Sequence, residues 1–117
     1  MIDGTWLPVE AELGGRRFPG ESLKTMQLIL ADGKYTAKVG DVTDKGTFKL
    51  DPAARPQAID VTGAEGPNKG KTFLAIYELT GDSLRICYDL EGKSRPTEFK
   101  TQRNTERFLV TYKREKR

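Results

Sequence analysis

Apolar and polar side chains alternate most regularly over residues 71–90, and this pattern predicts a β-hairpin. Gly81-Asp82 supplies a two-residue turn in which glycine takes the position that needs positive φ. Counted outward from that turn, the inward-facing pairs are Leu79 with Leu84, Tyr77 with Ile86, Ala75 with Tyr88, and Phe73 with Leu90. On the opposite face Glu78 meets Arg85, so a shift of one residue would mix the apolar and charged faces. The alternation therefore indicates one register.

A second hairpin is predicted around Asp32-Gly33, a dipeptide typical of type I′ turns. The facing pairs are Leu30 with Tyr35, Leu28 with Ala37, and Met26 with Val39.

The remaining segments predict further strands and one helical turn. Residues 4–13 are expected to form a strand bent near Pro8, with Leu7, Val9, Ala11 and Leu13 on one side and Trp6 on the other. Further strands are expected at residues 44–50 with Phe48 and Leu50 inward, at 57–62, at 97–101 with Phe99 inward, and at 107–114. Residues 19–25 favour a short helical turn that acts as a lid or plug.

Eight or nine strands joined in sequence predict an all-β fold, a small up-and-down antiparallel barrel with at most one short helix, because closure removes exposed strand edges. A chain of 117 residues fits a single domain spanning residues 1–117. Hydrophobic residues at 36% and charged residues at 32% suit such a domain better than a disordered or membrane-spanning chain. The first residues do not resemble a signal peptide, so we expect a cytoplasmic location and no membrane partner.

The charge distribution and the amino-acid composition limit the range of possible functions. From Lys93 onward there are nine Lys and Arg against three Glu, but no nucleic-acid motif accompanies them, so we expect a solvated basic end and no nucleic-acid partner. With no histidine and one cysteine, the usual general base is missing and a disulfide within the chain is excluded. We expect neither metal nor other cofactor, and no catalytic residues. Enzymatic activity through converging carboxylates, Asp60 among them, stays an open alternative.

The glycine-rich run at residues 66–72 resembles a phosphate-binding loop but differs from it in two respects. It has three residues between its glycines where that motif has four, and the segment after it reads as strand, not helix. A glycine-rich connection between strands is the simpler interpretation.

Aromatic residues at inward positions give the leading functional hypothesis, a binding module for a small apolar or amphipathic molecule. The predicted ligand-binding residues are Tyr35, Phe48, Tyr77, Tyr88 and Phe99. The alternative is a structural or protein-interaction module, in which side chains fill the barrel and its outer surface makes the contacts.

The outer face of the 71–90 hairpin carries Leu74, Ile76 and Cys87, which need a cover. Either residues 19–25 or a second copy of the chain would supply it, the latter as a homodimer through Leu74 and Ile76.

Several motifs resemble a family of uncharacterised lipocalin-like domains abundant in planctomycete-type bacteria. They are Gly4-Thr5-Trp6, Asp51-Pro52, Ile59-Asp60, the run at residues 66–72, Ile76-Tyr77-Glu78-Leu79, Cys87-Tyr88 and Arg95-Pro96-Thr97-Glu98-Phe99. The resemblance implies a small lipocalin-like barrel and no particular activity.

The opening Gly-x-Trp is also similar to that of lipocalins at large, where the tryptophan closes one barrel end beneath a basic side chain of the last strand. Alternation along residues 107–114 brings Arg114 to the inner side, so we predict barrel closure by Trp6 and Arg114, with Lys113 as the alternative cation.

Overall fold

The computed structural model describes residues 2–103 and 105–115, so the basic residues at 116 and 117 lie outside the described part. The elements, in chain order, are β1 (Gly4–Leu13), β2 (Arg16–Arg17), α1 (Gly20–Leu23), β3 (Met26–Ala31), β4 (Lys34–Val39), β5 (Val42–Asp51), β6 (Ala58–Glu65), β7 (Thr72–Thr80), β8 (Ser83–Asp89) and β9 (Arg107–Arg114). In these described residues, no helix is long and apolar enough to cross a membrane.

The strands form a closed antiparallel barrel, as predicted. Each strand from β3 to β8 pairs with the next one along the chain, and β1 pairs with both β3 and β9. Every strand except the two-residue β2 therefore has two hydrogen-bonded neighbours, which gives eight strands in the barrel. The fold is all-β with one short helix.

Both predicted hairpins are present in the predicted register. Asp32 and Gly33 have φ values of 52° and 77°, as a type I′ turn requires. The β7–β8 ladder ends at the pair of Leu74 and Asp89. The outermost predicted pair, Phe73 with Leu90, is therefore not part of it.

The predicted sidedness of β1 is wrong in its first half. Trp6 is fully buried, whereas Leu7 and Val9 are 37% and 46% exposed. The β1–β9 register shifts at residues 8–10, which makes Val9 the extra residue of a β-bulge. Because a bulge exchanges the two faces of a strand, Ala11 beyond it is buried on the same side as Trp6, and not on the opposite side as predicted.

The predicted strand at residues 97–101 is also wrong. These residues form a bent loop between β8 and β9. Phe99 lies outside the barrel, where the Arg85 guanidinium stands 4.1 Å from its ring centre. Arg85 belongs to the outer face of the β7–β8 hairpin, so the loop packs against the barrel wall and contributes no strand to it.

The segment that follows β1 folds back to pack against the barrel. Only the first three residues of β1 pair with β3, and the rest of the strand follows β9. Phe18 and Leu23 pack against the hydrophobic core, and the Phe18 ring lies 5.6 Å from that of Phe108. The 19–25 segment therefore contacts the core through Leu23, and its role as a lid or plug stays a prediction.

Antiparallel pairing gives the barrel two distinct ends. At one end lie the last residues of β9 and the first of β1, including Trp6. At the other end lie the start of β3, the turn between β4 and β5, and the loop between β6 and β7. We call these the tryptophan end and the open end.

Candidate functional site

A cavity of about 270 Å³ occupies the open half of the barrel. Its walls are largely aliphatic and aromatic, with Phe48, Ile86 and Tyr88 among the lining residues. The exposed residues Val39 and Val42, both 51% exposed, stand at its rim. The volume lies just below the range of about 300 to 1,000 Å³ typical of ligand pockets. The cavity is therefore sized for a small molecule.

Asp44 is the acidic residue among those lining the cavity. It pairs with Ala37 across β4–β5, and Ala37 pairs with the buried Leu28 across β3–β4. Paired residues share a face of the sheet, so the register directs Asp44 into the barrel. The same alternation places Phe48, four residues later, on the inner face. Asp44 was not predicted as a site residue from the sequence, although its spacing of four residues from Phe48 indicates that it faces inward.

Gly46 makes room for Tyr35 to reach Asp44. Tyr35 and Gly46 are paired across β4–β5, and a Cβ on Gly46 would lie 2.5 Å from Tyr35 Cε2 and would overlap the Thr62 carbonyl oxygen. Without a side chain at Gly46, the tyrosine ring lies across β5. Its hydroxyl donates a hydrogen bond of 3.2 Å to Asp44 Oδ2.

The glycine-rich loop between β6 and β7 supplies the third polar group. Gly63 sits against the Asn68 carbonyl so closely that a Cβ there would overlap it. This contact lets the loop fold back over the beginning of β5, where Asn68 Nδ2 donates a hydrogen bond of 2.7 Å to Asp44 Oδ2. Strand β7 follows the loop, which agrees with a strand connection and not a phosphate-binding loop.

Asp44, Tyr35 and Asn68 together form what we call the Asp44 cluster. Tyr35 and Asn68 both donate their hydrogen bonds to Oδ2 of Asp44. Oδ1 is buried and has no hydrogen-bond partner among the described residues. No Lys or Arg within residues 2–103 and 105–115 forms an ion pair with Asp44. The half-buried carboxylate is therefore uncompensated by a protein cation.

The tyrosine hydroxyls of the cavity are protonated at neutral pH. Burial, with the Asp44 charge and hydrogen bond adding to it, raises the pKa of Tyr35. Burial also raises the pKa of Tyr88, and interaction with Tyr112 adds to this shift. The pKa of Tyr112 is raised to about 12 by burial. All three residues line the cavity, so they are neutral hydroxyls within it.

The structure brings together three of the five predicted ligand-binding residues. Tyr35, Phe48 and Tyr88 line the cavity. Tyr77 is also buried on the inner face, but it lies one inward position nearer the tryptophan end than Ala75, the partner of Tyr88. It is not among the cavity-lining residues. Phe99 lies outside the barrel because its segment is a loop.

The tryptophan end is closed as predicted. The Arg114 guanidinium stands 4.3 Å from the Trp6 ring centre. Arg114 also donates a hydrogen bond to the Asp3 carbonyl, while the indole Nε1 donates to the Ile2 carbonyl at 2.9 Å. The barrel interior is therefore reached from the open end.

The outer face of the β7–β8 hairpin is covered by the loop before β9, not by residues 19–25. Arg95 holds this loop by an ion pair of 2.6 Å to Asp60 and a hydrogen bond of 2.9 Å to the Ala75 carbonyl. Ile76 and Cys87 are consequently buried. Burial raises the pKa of the Cys87 thiol, which disfavours the reactive thiolate.

A homodimer through Leu74 and Ile76 stays a prediction. Ile76 is 1% exposed within a single chain and Leu74 is half-buried. The apolar surface that motivated the dimer is therefore covered by the chain itself.

We compared the chain with protein-family models, with curated proteins and with solved structures, and found no match. Function is therefore inferred from the cavity and from the polar groups at its open end.

Proposed function

We propose that the protein is a binding module that holds a small apolar or amphipathic molecule inside its barrel. The observation that carries this proposal is the apolar cavity of about 270 Å³ at the open end. Transfer of an alkyl or aryl group from water into such a cavity is favourable by about 25 cal/mol per Å² of apolar surface. The Asp44 cluster adds the few convergent polar groups that orient a ligand in typical pockets.

The alternative, a filled barrel acting through its outer surface, is less well supported. It requires inward side chains to occupy the interior, and the cavity beside Phe48 and Tyr88 counts against this. We also propose that the chain is a bacterial lipocalin-like domain of the family its motifs resemble. The closed barrel and the Trp6–Arg114 contact support that assignment. A cytoplasmic location stays a prediction from the sequence.

Calorimetric titration with octanol tests the binding proposal, because this ligand is neutral and has one polar group. We expect saturable binding to the wild type and loss of binding in Ala37→Phe, whose larger side chain projects into the cavity. The matched control is Thr36→Phe, since Thr36 is the outward neighbour of Ala37 on β4. Equal binding by wild type and Ala37→Phe, or absence of binding to the folded wild type, would refute the proposal.

A further inference from the structure

The charge balance at the open end of the cavity distinguishes between classes of amphipathic ligand. Asp44 is half-buried, and one of its carboxylate oxygens is buried and unpartnered within the described part of the chain. Removing a carboxylate from water is costly unless a cation or several donors compensate it. Tyr35 and Asn68 supply two neutral donors, which leaves the negative charge in place.

Lys38 is the basic residue among the cavity-lining residues, and its charge opposes that of Asp44. It pairs with Gln27 and Thr43 on the outward row of β4, and it is exposed. An exposed ammonium is hydrated and screened over about 8 Å at physiological ionic strength. A half-buried carboxylate is screened less, so Asp44 dominates the field that a ligand head meets inside the rim.

We propose that the ligand of this site is an amphipathic amine, with a cationic head at Asp44 and an apolar body in the cavity. This inference rests on the proposed binding function and specifies its ligand class. An ammonium group donates charge-assisted hydrogen bonds, which are about twice as strong as neutral ones. It also neutralises the Asp44 charge, whereas a fatty-acid carboxylate brings a second negative charge to the same place.

The geometry of the barrel agrees with this orientation. Asp44 lies one inward position below Val42 at the rim, and Gly46 and Phe48 follow it toward the interior. A head group at Asp44 therefore places an alkyl chain beside Phe48 and Tyr88, which line the cavity. The head stays near the open end, where its remaining N–H groups reach water.

The experiment compares three ligands with the same alkyl chain, octylamine, octanol and octanoate, by calorimetric titration near neutral pH. We expect octylamine to bind the wild type about tenfold more tightly than octanol, a difference of about 1.4 kcal/mol. We expect octanoate to bind more weakly than octanol. In Asp44→Asn, octylamine and octanol should bind with equal affinity within about twofold, since the charge is removed and the side-chain shape is kept.

The matched control is Asp41→Asn, which makes the same change of charge in the exposed turn beside the rim. It should keep the wild-type preference, because screened surface charge contributes little. The Asp44→Asn variant must show wild-type circular dichroism. If this variant does not fold, the order of the affinities of the three ligands for the wild type tests the amine assignment by itself.

The possible outcomes separate this inference from the binding function on which it rests. Octanol binding with no preference for octylamine overturns the amine assignment and leaves the binding function intact. Retention of the preference in Asp44→Asn, or its loss in Asp41→Asn, overturns the role of Asp44. Absence of binding by all three ligands refutes both proposals.

Discussion

Replacement of Arg95 by Met should release the loop that covers the outer face of the β7–β8 hairpin. The guanidinium joins this loop to the barrel wall chiefly at the Asp60 carboxylate and the Ala75 carbonyl, and it makes a longer hydrogen bond of 3.4 Å to the Ile59 carbonyl. The Arg95 and Asp60 side chains are 33% and 42% exposed, so solvent screening limits their ion pair to about 1 kcal/mol. The hydrogen bond to the backbone carbonyl adds about 1 kcal/mol. Loss of both should favour loop opening by about 2 kcal/mol.

Cys87 reports on that opening because it is buried beneath the loop, with its Sγ 3.6 Å from the Lys100 carbonyl oxygen. When the loop closes faster than a thiol reagent reacts, the labelling rate follows the population of the open form. A change of about 2 kcal/mol corresponds to about thirtyfold faster labelling in Arg95→Met. The matched control is Arg16→Met, since Arg16 is exposed on β2 and should leave the rate unchanged. Labelling of Arg95→Met at the wild-type rate would refute this account of the loop.

Three further substitutions test other parts of the structure by chemical denaturation. Arg114→Met removes the cation over Trp6, and with it about 0.5–2 kcal/mol of stability; an unchanged midpoint would contradict closure by this pair. Gly46→Ala should cost about 1–3 kcal/mol and weaken octanol binding, because the new Cβ overlaps Thr62 O and displaces Tyr35; wild-type stability would show that this close packing is not required. Asp89 is buried, yet hydrogen bonds from three backbone N–H groups outweigh that burial and lower its pKa. Its stabilisation is therefore present above the unfolded pKa of about 4 and lost as pH falls through the folded value. Asp89→Asn should be less stable at neutral pH by about 2 kcal/mol and lose less stability on acidification, and parallel pH profiles would argue against this role.

The hairpins were predictable because their registers depend on local features, a two-residue turn and regular alternation. The sidedness of β1 was not, since the bulge at Val9 depends on pairing with β9, about one hundred residues later in the chain. Phe99 followed a strand-like alternation, but its segment has no free barrel edge to join once β8 pairs with β9.

The cavity illustrates the same division between local and distant information. Tyr35, Phe48 and Tyr88 were found from alternation alone. Asp44 follows the same alternation, but its place in a polar cluster depends on Asn68, which reaches it through a folded-back loop. Alternation within one strand does not predict that contact.

Binding of a small molecule inside the open half of the barrel can be observed residue by residue by NMR chemical-shift mapping with octylamine. We expect saturable shifts at cavity-lining residues such as Val39, Phe48 and Tyr88. Tyr77, nearer the tryptophan end, and Phe99, outside the barrel, serve as internal controls and should shift little. Shifts confined to the outer surface, or no saturable shift at the lining residues, would contradict binding inside the barrel.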